Sequence, residues 1–178
     1  TSVTSTNNAY GIWFATSENG YNTVSEAEFS GNTQYDLVSA SNATNTFDNS
    51  SFNRTSSTVS GAGPLFIYFD ARTRVTDGDG TALASVVVTG SDGLSTQTSL
   101  GSTNASGYTS FVSLPAYKIT SASSATTNGG YNPYTISTVA SGYSASSTSV
   151  TLSQRNQTVM FALVSSSSQT GGSTSGGS

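Results

Sequence analysis

An all-β protein is what the 178-residue sequence predicts: an antiparallel β-sandwich with a β region of different texture ahead of it. Three observations carry this. Asp/Gly turns bracket β-branched runs between Phe69 and Leu163, apolar and polar residues alternate with a period of two, and the stretch before Ser60 repeats itself at an interval near 24 residues.

Arg72-Thr73-Arg74-Val75-Thr76 runs into the turn Asp77-Gly78-Asp79-Gly80, and Ala84 to Thr89 runs into Ser91-Asp92-Gly93. Asp and Gly end strands for backbone reasons, the first by accepting local N–H bonds and the second by tolerating positive φ. Thr103-Asn104-Ala105-Ser106-Gly107 is a third turn, followed by alternation from Tyr108 to Ser113 that Pro115 is expected to stop. Tyr134 to Val139, Ser149 to Leu152 and Thr158 to Leu163 complete about seven short strands, as a sandwich requires. Leu65 to Phe69, five apolar residues in a row, reads as a strand buried on both sides.

This order of turns and strands, from Val75-Thr76-Asp77-Gly78-Asp79-Gly80 through Pro133-Tyr134-Thr135-Ile136 and Ser141-Gly142-Tyr143 to Thr158-Val159-Met160-Phe161-Ala162-Leu163, resembles the carboxypeptidase-regulatory-like, transthyretin-like sandwich domains of extracellular proteins. The resemblance spans Phe69 to Leu163. It implies an Ig/transthyretin-like fold and a place outside the cell, and it implies no chemistry.

Upstream, Tyr10 aligns with Tyr35, Ile12 with Leu37, Val24 with Phe47 and Phe29 with Phe52, a spacing of 25 that closes to 23. Short apolar beats at such a period, separated by Asn/Ser/Gly turns such as Ser17-Glu18-Asn19-Gly20, are the mark of a β-solenoid. The segment is similar to the last coils of NosD-like right-handed parallel β-helices, and Phe47 to Val59 leading into Leu65 to Asp77 is similar to the junction of such a helix with a sandwich. Hairpins that extend the sandwich are the competing reading. Two coils leave uncovered backbone edges, so the region is expected to pair with more of the same protein, with another copy or with the sandwich. Residues 1–14 are the expected strand donor to a neighbouring chain by β-addition, with Tyr10, Ile12 and Phe14 on one face and Trp13 on the other.

The expected organisation is therefore an N-terminal β region over residues 1–64, β-helix-like or strand-exchanging, a sandwich over 65–164, and a Ser/Gly/Thr linker or tail over 165–178. Gly61-Ala62-Gly63-Pro64 is the expected hinge, and residues 121–133 a long polar loop. A chain beginning Thr1-Ser2-Val3 is read as mature or as a fragment.

Composition narrows the chemistry. Serine (37) and threonine (28) exceed a third of the chain while charged residues make up 8%, so solubility rests on hydroxyls, amides or attached sugar. Five Asn-x-Ser/Thr acceptors occur, at Asn42, Asn49, Asn53, Asn104 and Asn156. Such a composition makes two or three by chance; five at turns and polar faces point to N-glycosylation of a secreted protein. With five basic residues and a net charge of −4, the chain has no electrostatic basis for binding nucleic acid or anionic membrane, and no apolar run is long enough for a membrane span.

Cys and His are both absent, which removes disulfides, thiol chemistry and the usual base of a Ser nucleophile. Neither an enzyme nor a cofactor is expected. The carboxylate pair Glu26/Glu28 reads as a solvated strand face, and Asp77/Asp79, weak candidates for calcium, read as a turn. Lys118, the only lysine, is a remote candidate for an isopeptide cross-link of the kind some similar pilin-like sandwiches form. Tyr131, Tyr134, Tyr143 and Trp13 are candidates for stacking on sugar. The expected function is that of a glycosylated structural subunit of a cell-surface filament, stalk or adhesin. The alternative is a carbohydrate-binding or accessory module of a β-helix polysaccharide-active protein.

Overall fold

The computed structural model describes residues 3–15, 20–121 and 129–166. Residues Ser17 to Asn19 of the expected N-terminal turn, most of the expected 121–133 loop and most of the expected tail lie outside them. The described chain is almost entirely β. Its N-terminal part carries β1 (Thr4–Thr6), β2 (Tyr10–Phe14), β3 (Tyr21–Ser25), β4 (Glu28–Ser30), β5 (Tyr35–Ser39), β6 (Thr44–Asp48) and β7 (Ser57–Val59), with one 3-10 turn at Arg54–Ser56. Then follow β8 (Leu65–Asp77), β9 (Val87–Ser91), β10 (Gln97–Ser102), β11 (Val112–Ile119), β12 (Tyr134–Val139), β13 (Ser146–Val150) and β14 (Gln157–Leu163).

In the N-terminal part every ladder is parallel: β1 on β4, β2 on β5 and β5 on β7, β3 on β6 and β6 on β8. Tyr10 pairs with Tyr35, Ile12 with Leu37 and Val24 with Phe47, the register that the sequence spacing predicts. Parallel strands joined by so few residues cannot be hairpins, because a hairpin reverses the chain. Aromatic rings fill the space the ladders enclose: Phe47, fully buried, has the rings of Phe14, Phe29 and Phe52 within 5.3 to 6.0 Å. Burying one such side chain contributes roughly 2 to 3 kcal/mol.

Polar residues stack along the same direction. Asn22 donates to Asn45 Oδ1 at 2.9 Å, and the buried Asn45 donates in turn to Ser39 Oγ at 2.9 Å. At Gly11 the backbone passes so close to Asp36 that a Cβ there would overlap its carbonyl oxygen, which only glycine avoids.

The sandwich is built from the sheet β10-β9-β12-β13 facing β11-β8-β14. Most of its pairs are antiparallel, but β14 lies parallel to β8. The 13-residue β8 joins the two parts: β6 pairs with its residues 65–68 and β14 takes over the same edge along 71–77. One continuous apolar cluster runs from Phe14 and Phe29 through Leu65 and Ile67 to Ile136 and Leu163.

Three sequence expectations change here. Pro115 does not stop a strand; it sits within β11 opposite Tyr68, next to a register shift and on the outer strand of the sheet, where its missing N–H costs no ladder bond. Gly61 to Pro64 is not a loose hinge. Gly61 and Gly63 donate to Ser39 and Ser41, Pro64 accepts from Asn45, and a Cβ on either glycine would overlap the carbonyl of Ser41 or Ala43. Finally, β10 forms from Gln97 to Ser102, a stretch whose apolar content, Leu100 alone, gave no strand pattern.

Candidate functional site: the open strand edges

Strands β1, β2 and β3 each have one ladder partner, and in each case that partner comes later in the chain. Their opposite edges are unpaired among the described residues. Around them Val3, Trp13 and Tyr21 are exposed, Tyr21 at 88%. A row of free N–H and C=O groups flanked by aromatic side chains is a template for strand addition.

The expected donors occupy this place differently from the sequence reading. Tyr10, Ile12 and Phe14 are not given away: they pair with Tyr35, Leu37 and Ser39 of the same chain. Phe14 is buried against Phe47, Ile12 packs on the core, and Tyr10 lies over the Tyr35 ring at 6.4 Å and donates from its hydroxyl to Gln34. Phe14 O accepts from Ala40 N, toward β5, so the neighbouring Trp13 turns its own N–H and C=O to the open edge. β2 is thus held on one edge by its own chain.

The acceptor asparagines divide. Asn42, Asn53, Asn104 and Asn156 are exposed. Asn49 is 2% exposed, and its amide donates to Glu26 Oε1 at 2.7 Å and to Asn156 Oδ1 at 3.1 Å while its oxygen accepts from the Asn156 backbone at 3.2 Å. A buried amide so engaged is a structural link, and Asn49 is withdrawn as a glycan acceptor of the folded chain. Sequence alone gave no sign of this, since all five positions share the Asn-x-Ser/Thr pattern.

Glu26 and Glu28 do not share a strand face. Glu26 occupies a left-handed corner (φ 54°) and pairs with Arg155 at 2.8 Å, whereas Glu28 lies in β4 opposite Thr4. Donation from Asn49, opposed by slight burial and reinforced by Arg155, lowers the Glu26 pKa. Burial, with Asp48 and Glu26 nearby, raises that of Asp70. Asp77 uses Oδ1 to accept from Asp79 N at 3.0 Å and Thr81 N at 2.8 Å, and Asp92 and Asn104 close their turns in the same way. The Asp77/Asp79 pair is thus accounted for by the turn, and no three His, Cys, Asp or Glu residues converge as metal ligands among the described residues.

Tyr134 is buried and donates to Pro115 O at 2.8 Å, so it belongs to the core; Tyr131 and Tyr143 are half-buried. Lys118 stands 5.6 Å over the Phe66 ring. No helix is long and apolar enough to cross a membrane among the described residues.

The sequence reading missed a groove in the N-terminal part. A cleft of about 380 Å3 includes Ser51, Phe52, Arg54 and Arg155, and a second of about 370 Å3 includes Asn32, Ser51, Phe52 and Asn53. Arg54 lies with its guanidinium 3.9 Å above the Tyr117 ring. Only the folded ladders bring Arg54 and Arg155, a hundred residues apart, to one place.

No protein-family model matches the chain, and no curated protein matches it.

Proposed function

We propose that the chain is an extracellular, glycosylated structural subunit of a cell-surface filament, stalk or adhesin, joined to its neighbours by β-strand pairing. The observation that carries this reading is the set of three edges, on β1, β2 and β3, that have no partner among the described residues. Under this reading the parallel ladders are end coils of a β-solenoid, stacked at the 23- to 25-residue spacing of Val24 on Phe47 and Tyr10 on Tyr35, and the sandwich caps their other end. The resemblance to NosD-like coils followed by a transthyretin-like domain supports the same arrangement and the location outside the cell.

The work of such a subunit is mechanical. Main-chain hydrogen bonds join units at the open edge, Trp13 and Tyr21 lose water there, and sugar on Asn42, Asn104 and Asn156 covers polar faces elsewhere. No catalytic step is part of it. Negative-stain microscopy of native material is the test: filaments or end-joined particles are expected, and uniformly single globules at high concentration contradict the proposal.

A further inference from the structure

We infer that the groove over Phe52 binds a saccharide bearing a carboxylate, with Arg54 taking the carboxylate and Phe52 lying under the neighbouring sugar ring. Five basic residues serve the whole chain, and two of them, Arg54 and Arg155, line one cleft. They are not equivalent. Arg155 is neutralised by Glu26 at 2.8 Å, whereas Arg54 has no carboxylate or hydrogen-bond partner for its guanidinium among the described residues. The Tyr117 ring, 3.9 Å from the guanidinium carbon, holds Arg54 by a cation–π contact at the cleft it lines, which leaves the N–H donors available to an acceptor. A planar fork of this kind suits a carboxylate, which accepts two parallel bonds from it.

The rest of the groove has the chemistry of a sugar site. Exposed Ser51, Ser153 and Gln154 offer hydroxyl and amide groups beside Arg54, and the two clefts meet at Ser51 and Phe52, so the half-buried Phe52 ring lies along a continuous path. Beyond it, Asn32 and Ser56 continue the polar lining. Asp36 also borders this part but not the Arg54 cleft; it is 2% exposed, and its two oxygens are engaged by Asn32 Nδ2 at 2.8 Å and Asn53 N at 2.8 Å. One unneutralised cation in this groove, on a chain of net charge −4, does not hold a polyanion by charge alone. It does select one carboxylate within a ligand otherwise recognised by hydroxyls and by the apolar face of a ring. This inference does not depend on strand pairing, and its test reads binding whether or not the chains assemble.

The experiment is titration calorimetry of the full chain, produced without glycosylation so that no sugar on Asn53 fills the groove. The probes are trigalacturonate, uncharged maltotriose and a sulfated trisaccharide. Trigalacturonate is expected to bind, maltotriose at least about tenfold more weakly, and the sulfated sugar more weakly than the uronate. Arg54→Gln is expected to lower affinity for trigalacturonate at least about tenfold, the loss of one charge-assisted contact, and Arg54→Lys less. Ser153→Glu, at an exposed position away from the Tyr117 stack, is expected to weaken binding similarly and covers the case in which Arg54→Gln perturbs folding. Equal affinity for the charged and uncharged sugars, tighter binding of the sulfated one, no binding of trigalacturonate, or indifference to both Arg54→Gln and Ser153→Glu overturns the inference.

Discussion

Asn49 donates its side-chain amide to Glu26 Oε1 at 2.7 Å, tying the end of β6 to the end of β3 at two corners that both adopt left-handed backbone, φ 45° and 54°. The same Asn49 oxygen accepts from the backbone of Asn156, so this one side chain also fastens the sandwich to the N-terminal part. Replacing it with alanine removes all of these bonds at once, leaves space at a buried position and keeps a left-handed φ that alanine disfavours. Asn49→Ala is expected to cost about 3 kcal/mol in denaturant unfolding.

That role separates Asn49 from the other four acceptors. Glycopeptide mapping of native material is expected to find sugar among Asn42, Asn53, Asn104 and Asn156 and an unmodified Asn49. Full occupancy at Asn49 would contradict its burial.

Acid stability turns on two carboxylates of opposite sign. The Glu26 pKa is lowered in the folded state, so its contribution is present above the ordinary value and lost as pH falls through the folded one. The Asp70 pKa is raised, so the folded state gains as pH falls through the folded value toward the ordinary one. The two slopes oppose each other, and with so few charged residues cooperative unfolding is expected to persist at about pH 3. Asp70→Asn removes the gain: the variant is expected to be more stable than wild type near neutrality and to lose that advantage on acidification, as read by thermal melts across pH.

Gly63 packs its backbone against Ala43 with no room for a methyl group. Gly63→Ala is expected to destabilise by about 3 kcal/mol or more, because the obstruction is main chain and cannot rotate away. An exposed glycine such as Gly78, with open space around it, is the control.

Legibility followed the kind of force at work. The pairing of Tyr10 with Tyr35 and of Val24 with Phe47 could be read from spacing, because stacked apolar residues repeat wherever a core repeats. The turns at Asp77, Asp92 and Asn104 were equally plain, since their bonds are local. What depends on distant chain was hidden. The burial of Asn49 rests on Asn156, the tolerance of Pro115 rests on β11 being an outer strand, and the Arg54 groove rests on Tyr117 and on residues 153–155. Tyr10, Ile12 and Phe14, expected as donors, pair within the chain, and the sequence did not show it because an apolar strand looks the same whether it seeks a partner on one edge or on both.

The pairing proposal rests on the open edge of β2, and multi-angle light scattering over a concentration series tests it most directly, with Trp13→Lys as the comparison. Lysine on a strand edge opposes further pairing without touching the internal ladder. The expected result is a mass that rises with concentration for the wild-type chain and stays that of a single chain for Trp13→Lys at unchanged thermal stability. A wild-type mass of one chain throughout, or assembly that Trp13→Lys leaves intact, contradicts strand pairing at this edge.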